Sequence, residues 1–401
     1  MDTSSRGGAI SSTPRPEFVS NRLSGVELPG VRRILQIAEG VPDAISFALG
    51  EPDFDTPEHI KNAAIDALRE GFTKYTPNYG ILELRQSIAK KLKRENGIDA
   101  DPRSEILVTV GVQEALYIAF QALLNPGDEV IISDPCYHSY PRMIELAGGE
   151  PTYVKLNDDF SYNIAEIERR VTPKSRILLL NSPQNPTGAV IGRKEMEGLA
   201  ALAESHNLFI ITDEIYEKLI YDAAHISIAS LSGMMDRTLT VNGFSKAYAM
   251  TGWRLGYCVA RKGVIEKLVK VHAYTVTSAN SIAQKAGVAA LEGPQESVAK
   301  MVNEFKRRRD YVVERLSEIR GLKCPSPQGA FYVFPNFSSF HRRSWELAEY
   351  LLRDGGIITA PGIEYGPSRD SYLRLSFATS MEKLEKGLNR LDEALDKLRR
   401  Q

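Results

Sequence analysis

The stretch RILLLNSPQNPTGAVIGRKEMEGLAALAESHNLFIITD (residues 176–213) contains two short apolar runs separated by a segment with helical periodicity. Apolar and polar residues do not alternate in these runs, at 176–181 and 208–212, which is typical of strands buried on both faces. Strands separated by helices form βαβ units, and such units build a mainly parallel sheet. This stretch therefore predicts an α/β fold.

The same alternation of helical segments and apolar runs extends over residues 58–300. Four further runs fit buried strands; they lie at 106–110, 129–133, 238–242 and 257–260. Helices on both sides would cover such a sheet. We therefore predict a large ligand-binding domain over residues 58–300.

The last hundred residues have a different pattern. A long charged helix is expected at 304–319 and a second helix at 344–353, with strand-like segments at 330–335 and 372–378 and a last helix from Met381. This order is typical of a smaller α+β domain. Residues 1–57 contain no core of their own, so we assign 1–57 and 301–401 together to the small domain.

Composition excludes several classes of protein. Lys and Arg number 50 and Asp and Glu 51, so no positive charge excess favours a nucleic acid or a membrane surface. No apolar run approaches the roughly 20 residues of a spanning helix, and residues 1–16 read as a flexible tail without the apolar core of a signal peptide. Three widely spaced cysteines, with no disulfide or metal pattern, indicate a reducing compartment and a cytoplasmic location.

Residues that come directly after the strands are candidates for a site, because ligands of open α/β sheets bind beyond the carboxyl ends of the strands. Gly111 comes after the first run and opens a helix, whose free N–H groups suit a phosphate, although such turns are common. Asn185 lies in a turn stiffened by two prolines, which is either a plain loop or a support for a ligand contact. Asp213, with Tyr216 after it, is either a helix cap or the partner of a ligand cation.

Lys246 is the most informative of these residues. It comes after the run 238–242 in Gly243-Phe244-Ser245-Lys246. Burial at a strand end opposes the ammonium charge and gives the nucleophilic amine that Schiff-base chemistry needs. Arg254, with Ser245, could clamp a phosphate. Together, the four strand ends offer the groups that hold a phosphorylated pyridine aldehyde.

Three motifs resemble a known family. GFSKAYAMTGWRLG (243–256) fits, at every constrained position, the attachment-site pattern of the class I aminotransferases among the fold-type I pyridoxal-phosphate enzymes. GEPDFDTP (50–57) and NSPQNPTG (181–188) are similar to runs in prokaryotic and archaeal aspartate and aromatic aminotransferases. The resemblance extends from about residue 50 to residue 378. It implies a large cofactor domain, a small domain and pyridoxal 5′-phosphate as cofactor.

The resemblance also implies a role for each matching residue. Lys246 would bind the cofactor covalently, Asp213 would pair with the pyridine nitrogen, and Tyr216 and Asn185 would bind the ring hydroxyl. Tyr137 would stack on the ring. The substrate carboxylate would bind Arg374, with Gly50 beside it. The implied contacts to the phosphate come from Val112, Gln113, Ser245, Arg254 and, across a homodimer interface, Tyr75.

The pattern around Arg374 supports its role independently of the family. In YLRLSF (372–377), Leu and Phe share one face of a strand while Tyr372, Arg374 and Ser376 share the other. Two features depart from relatives. Gly243 stands where some relatives have a phosphate-binding Ser, and no Arg lies between Arg261 and Arg307, where one branch of aspartate aminotransferases has an Arg for the distal carboxylate.

The expected reaction moves an amino group between an L-amino acid and a 2-oxo acid, with L-aspartate and 2-oxoglutarate as the first pair. Lys246 would move the proton of the substrate Cα. Aromatic, alanine or branched-chain aminotransferases, and a β-lyase or synthase on the same scaffold, remain alternatives. A non-catalytic regulatory module would need an added DNA-binding segment, and a dehydrogenase would need a Gly-x-Gly-x-x-Gly turn; neither pattern is found.

Overall fold

The computed structural model describes residues 20, 23, 26, 28 and 30–400. The expected tail at residues 1–16 lies outside this part of the chain. The helices of the described residues are α1 (Gly30–Ala38), α2 (Glu58–Arg69), α3 (Leu82–Lys91), α4 (Gly111–Leu123), α5 (Ser139–Leu146), α6 (Ile164–Arg170), α7 (Arg193–Ser205), α8 (Lys262–Thr275), α9 (Ser281–Glu292), α10 (Glu296–Glu318), α11 (Ser344–Gly355) and α12 (Met381–Arg399). The strands are β1 (Ile45–Ser46), β2 (Ile106–Thr109), β3 (Glu129–Asp134), β4 (Glu150–Lys155), β5 (Ser175–Asn181), β6 (Phe209–Asp213), β7 (Thr238–Gly243), β8 (Gly256–Val259), β9 (Tyr332–Val333), β10 (Ile357–Ile358), β11 (Ala360–Pro361) and β12 (Leu373–Ser376).

A seven-stranded sheet forms the centre of the fold, in the order β2-β8-β7-β6-β5-β3-β4. The pairs from β7 through β4 are parallel, while β8 runs antiparallel to both of its neighbours. Helical segments connect most of the parallel strands. The expected α/β fold with a mainly parallel sheet is confirmed.

The apolar runs are strands because both of their faces are buried. In β5, Ile177 and Leu179 pack into one core and Leu178 and Leu180 into another. All four are at most 2% exposed. Each such side chain contributes about 1.5–3 kcal/mol by leaving water, so neither face of this strand tolerates polar residues.

A second group of short strands lies at the C-terminal end of the chain. β12 lies between β9 and β11 in an antiparallel sheet, and β1 pairs in parallel with β10. Phe331, Leu351 and Leu388 belong to the core that these strands share with α10, α11 and α12. The division into residues 58–300 and residues 1–57 with 301–401 stays a prediction, although β1 does contact the C-terminal segment.

The main strand without a counterpart in the sequence pattern is β4, at the edge of the sheet. Of its six residues, Val154 alone is fully buried, so the segment has no continuous apolar run. The long charged helix α10 begins at Glu296 rather than at residue 304. Among the helices of residues 30–400, none combines the length and apolar composition needed to cross a bilayer.

The topology brings distant residues of the chain to one edge of the sheet. Asn181 and Asp213 are direct partners at the ends of β5 and β6, and β7 ends beside them at Gly243. Because these strands are parallel and adjacent, the segments that leave their carboxyl ends converge on one place.

Candidate active site

A cavity of about 290 Å³ lies beyond the carboxyl ends of β5, β6 and β7. Every predicted site residue except Tyr75 lines it: Gly50, Val112, Gln113, Tyr137, Asn185, Asp213, Tyr216, Ser245, Lys246, Arg254 and Arg374. Tyr75 is 89% exposed and lies away from the cavity. The structure thus brings together eleven of twelve predicted residues, and their individual roles stay predictions.

Lys246 lies three residues beyond the end of β7. Its Nζ donates to the carbonyl oxygen of Gly50 at 2.5 Å. Burial lowers the pKa of the Lys246 ammonium to about 8, and the nearby Arg374 and Arg254 also lower it. With this pKa, roughly a tenth of the lysine is a neutral amine at pH 7, far more than for an ordinary lysine with a pKa of about 10.4, and a nucleophile or a base must be neutral.

Asp213 ends β6 and faces the cavity with a carboxyl group that two donors hold. Tyr140 Oη donates to Oδ2 at 2.8 Å, and the Ile215 N–H donates to Oδ1 at 3.2 Å. Burial raises the pKa of Asp213 to about 6, although the hydrogen bond from Tyr140 opposes the rise. A buried acid held in this way is suited to pair with a cationic group of a ligand.

Arg374, on β12, reaches the cavity from the C-terminal segment. Its Nη1 donates to Asn185 Oδ1 at 3.1 Å and its Nη2 to the Ala48 carbonyl at 2.6 Å. Its guanidinium lies 4.3 Å from the ring centre of Tyr332 and 5.0 Å from that of Tyr365. Nε has no partner among the described residues, so a buried donor remains for an anionic ligand.

The loop after β5 is fixed by its own side chains. Asn181 Nδ2 donates to the Asp213 carbonyl at 2.9 Å, and Asn181 Oδ1 accepts the Asn185 N–H at 2.9 Å. These bonds tie the Asn185 turn to the end of β6. On the other side of the cavity, Tyr216 and Tyr332 share a hydrogen bond of 2.8 Å between their hydroxyl groups.

The start of α4 and Arg254 form a cradle with room for an anion but not for larger side chains. Gly111 has a φ of +75°, and a Cβ there would lie 2.8 Å from Arg254 Nη2. A Cβ on Gly256 would lie 2.8 Å from the Val112 nitrogen. The first N–H groups of α4 lack partners within the helix and point with its positive dipole end. This arrangement fits a phosphate group.

Gly243, where some relatives have a serine, is closely packed. A Cβ at this position would lie 3.0 Å from the Leu255 carbonyl oxygen and 3.1 Å from Gly256 Cα. These contacts are with backbone atoms, which do not move aside easily. The glycine therefore belongs to the packing of β7 against β8, and Ser245 is the serine that lines the cavity.

Three lining residues whose side chains hydrogen-bond to predicted site residues were not themselves predicted: Tyr140, Asn181 and Tyr332. Tyr140 lies on α5, three residues after Tyr137, and its nearness to Tyr137 in the chain was the available signal. Asn181 ends a predicted strand, so its position was a signal too. Tyr332 lies in a strand of the C-terminal segment, and no local pattern places it beside residues from β6.

The donor set fits pyridoxal 5′-phosphate. It offers an amine at Lys246, a carboxyl at Asp213, an aromatic ring at Tyr137 and the anion cradle at Val112 and Arg254, all in one cavity. The unpartnered Nε of Arg374 is left for a carboxylate. A plain water-filled cleft would not need a lysine with a lowered pKa opposite a buried acid.

Comparison with known proteins gives consistent matches. The family model described as "Aminotransferase class I and II" matches residues 42–391. Aromatic-amino-acid aminotransferase 2 of Thermococcus litoralis is 43% identical over 382 residues, covering 94% of this chain and 98% of the relative. An aspartate aminotransferase of Pyrococcus abyssi is 44% identical, with the same two shares.

Solved structures match over almost the whole chain. The aromatic aminotransferase of Pyrococcus horikoshii superposes with a TM-score of 0.87 at 44% identity, covering 92% of this chain and 99% of that one. The aspartate aminotransferase of Thermus thermophilus with maleate gives 0.89 at 41% identity, covering 94% and 100%.

Proposed function

Since this chain belongs to the class I and II aminotransferase family and has its fold-type I architecture, we propose that it transfers amino groups in the cavity around Lys246. The expectation of a pyridoxal-phosphate-dependent aminotransferase is confirmed by the family. The observation that carries the site assignment is Lys246, a lysine with a pKa lowered to about 8 that faces Asp213 and Arg374 across one cavity.

The proposed cofactor contacts use the residues that line this cavity. Lys246 would hold the aldehyde carbon and Asp213 would face the pyridine nitrogen and keep a proton there. The remaining contacts would come from Tyr137 to the ring face and from Asn185 and Tyr216 to the ring hydroxyl. The phosphate would be held by the backbone N–H groups of Val112 and Gln113 and by the side chains of Ser245 and Arg254. When bound, this cofactor accepts the electron pair that remains at the substrate Cα after deprotonation.

Lys246 Nζ would be the base that removes the proton from the substrate Cα. A general base works best when its pKa lies near the operating pH, and burial lowers the pKa of Lys246 to about 8. Arg374 would bind the substrate α-carboxylate in a bidentate manner, with Asn185 beside it. This contact fixes the Cα–H bond relative to Lys246, and such orientation contributes to the rate.

For the substrates we propose L-aspartate as donor and 2-oxoglutarate as acceptor, with aromatic amino acids as second candidate donors. Aminotransferases of both names are among the relatives. The cavity favours the second candidate in one respect. Lys246, Arg254 and Arg374 are the cations among its described lining residues, and all three already have roles in the proposal.

A distal carboxylate, which 2-oxoglutarate carries in either case, would therefore need neutral donors. Gln113 and His138 line the cavity, and Val31 and Leu49 give it apolar walls. Burial, with Arg374 nearby, lowers the pKa of His138 to about 3, so its imidazole is neutral at physiological pH. We propose these two side chains as the hydrogen-bond donors for the distal carboxylate.

The proposed assembly is a homodimer in which Tyr75 of one protomer reaches the phosphate of the other. The exposure of Tyr75 and Tyr274, 89% and 95%, supports a covered surface there. A cytoplasmic location is also proposed, and the free thiols of Cys136, Cys258 and Cys324 agree with a reducing compartment.

The experiment that tests the substrate proposal compares kcat/KM for aspartate, phenylalanine, tyrosine and alanine as donors with 2-oxoglutarate. A preference for aspartate supports the first candidate, and a preference for phenylalanine or tyrosine supports the second. His138→Leu should raise the KM for 2-oxoglutarate and leave that for phenylpyruvate nearly unchanged. Equal effects on both oxo acids would contradict a contact with the distal carboxylate.

A further inference from the structure

The turn after β6 presents side chains to two separate places. Asp213 and Tyr216 line the cavity, whereas the side chains of Glu214 and Glu217, which are 1% and 8% exposed, belong to a second cluster of polar side chains. A hydrogen bond of 2.9 Å from the Glu217 N–H to the Glu214 carbonyl holds the turn. Glu214 is joined to Asp213 by one peptide bond, and Glu217 is linked to Asp213 through this hydrogen bond to Glu214.

Five side chains form this second cluster, which we call the Glu214 network: Lys91, Asn96, Glu214, Glu217 and His225. Asn96 Nδ2 donates to Glu217 Oε2 at 2.6 Å, and Lys91 Nζ donates to Asn96 Oδ1 at 2.7 Å and contacts Glu217 Oε1. His225 Nε2 lies 2.9 Å from Glu214 Oε2. Helix α3, the turn after it, the β6 turn and the His225 loop are thus joined.

Burial makes the charges of this network costly unless they balance. The side chains of Lys91, Glu214, Glu217 and His225 are 3%, 1%, 8% and 10% exposed. Glu95, at the rim, has its own partner in Lys218 at 2.6 Å. Two carboxylates and one ammonium leave one negative charge, which a protonated His225 would neutralise.

The groups that face His225 favour its protonation. Burial alone would lower the pKa of His225, and Lys91 also lowers it, but the carboxylates of Glu214 and Glu217 raise it above its usual value. Nδ1 has no partner among the described residues, which opposes the protonated form. The two carboxylates lie within 3.9 Å of His225 Nε2, and their attraction for the protonated ring outweighs the cost of the unsatisfied Nδ1 donor.

A bound metal ion is a weaker explanation of the same cluster. Ligand atoms of Glu214, Glu217 and His225 do lie within 4.8 Å of one another. The Glu217 carboxylate, however, already receives Lys91 and Asn96, and Glu214 Oε1 accepts from Ser227 Oγ at 2.8 Å. The ammonium of Lys91 therefore already supplies positive charge to the carboxylates that a metal ion would have to bind.

The charge of this network reaches Asp213. Burial raises the pKa of Asp213, and the negative charge of Glu214 raises it further. An uncompensated charge behind Asp213 would therefore favour its protonated form. A protonated Asp213 could not stabilise a positive pyridine nitrogen.

We propose that the Glu214 network positions the Asp213 turn and, with His225 protonated as its balancing cation, keeps Asp213 ionised for the cofactor. This role rests on the proposed function of Asp213. The glutamates and His225 are positioning residues, because they act on the cofactor through Asp213 and touch no substrate.

The first test is the titration of His225 in the wild-type holoenzyme by NMR with isotope-labelled histidine. The chain has six histidines, and the spectrum of His225→Gln identifies the signal that belongs to His225. We expect a midpoint above 6.5, the ordinary value for histidine. A midpoint below 6.5 would overturn the proposal, and the titration itself is made on the wild-type protein.

The second test measures cofactor affinity against pH by reconstitution. His225→Gln should move the acid midpoint of cofactor binding up by about one pH unit, and a Glu214→Gln/His225→Gln double variant should move it back. Loss of a merely structural contact predicts a double variant no better than the single one. His206→Gln is the matched control, since His206 lies 3.7 Å from Glu168 at a partly exposed site.

The outcomes separate this inference from the proposed function. An acid midpoint that is equal in wild type and His225→Gln, or a double variant without recovery, refutes the network's role while the enzyme still binds its cofactor. A wild-type protein that binds no cofactor at any pH refutes the site assignment itself.

Discussion

The hydroxyl group of Tyr140 donates a hydrogen bond of 2.8 Å to the carboxylate of Asp213. The two residues are 73 positions apart, one on α5 and the other at the end of β6. Burial raises the pKa of Asp213, and the bond opposes that rise because it stabilises the ionised carboxyl group; the resulting pKa is about 6. The pair therefore sets how much Asp213 is charged near neutral pH.

Replacing Tyr140 with Phe should raise the pKa of Asp213 further. Since the carboxyl must be ionised to pair with the pyridine nitrogen, activity should be lost at a higher pH on the acid side, by about one unit. The measurement is kcat/KM against pH. Tyr162→Phe is the control, because its buried hydroxyl has no partner among the described residues. An unshifted acid limb would contradict this link.

Arg374→Lys should keep a positive charge but lose the paired N–H groups that grip a carboxylate. We expect kcat/KM for amino acids to fall roughly 100-fold, about 2.7 kcal/mol, mainly through KM. The affinity for pyridoxal phosphate serves as the internal control and should stay nearly constant. If KM is unchanged for every amino acid, Arg374 does not bind the substrate carboxylate.

Glu217→Gln should destabilise the protein by roughly 3 kcal/mol, because the buried Lys91 then loses its close carboxylate partner and keeps only Glu95, 3.9 Å away. The midpoint of urea unfolding gives the change. The exposed Glu197, 3.6 Å from Arg193, is the matched control, and Glu197→Gln should cost less than about 0.5 kcal/mol. Similar losses of unfolding free energy in the two variants would show that the buried Lys91–Glu217 pair stabilises the protein no more than an exposed pair does.

The same residue predicts a pH dependence of stability. Burial opposes the charge of Glu217, but Lys91 and His225 outweigh it and lower its pKa to about 2. The lowered pKa contributes stability above the ordinary value near 4.5, and this contribution is lost as the pH falls toward about 2. Glu217→Gln should therefore show a smaller loss of stability between pH 4.5 and pH 2 than wild type.

Tyr75→Phe should weaken cofactor binding several-fold, about 1 kcal/mol, if its hydroxyl reaches a phosphate across a dimer interface. The dissociation constant of the cofactor is the measurement. Tyr117→Phe, on α4 and packed against the helix–sheet core, controls for the loss of any tyrosine hydroxyl. If wild type and Tyr75→Phe bind the cofactor with equal affinity, the Tyr75 hydroxyl does not contact the phosphate, and residues of one protomer bind it alone.

The sequence predicts this site well because adjacent parallel strands deliver the ends of their apolar runs to one edge of the sheet. Asn185, Asp213 and Lys246 each lie at or just beyond the end of such a run, and neighbouring strands bring these positions together without further information. Edge strand β4 has no equivalent signal, since Val154 is its one buried residue and the other five are partly or largely exposed. Tyr140, Tyr332 and the Glu214 network depend on contacts between distant segments, and no local spacing encodes those contacts.

Lys246 is proposed to carry the cofactor, and one added amino acid substrate should convert the bound cofactor to its amine form. The most direct test is the visible absorption spectrum of the purified holoenzyme before and after addition of aspartate or phenylalanine, in wild type and Lys246→Ala. We predict that wild type loses the absorption band of lysine-bound cofactor as the 2-oxo acid forms, while Lys246→Ala shows no such band and no turnover. A wild-type protein without this band, or near-normal turnover in Lys246→Ala, would contradict the claim.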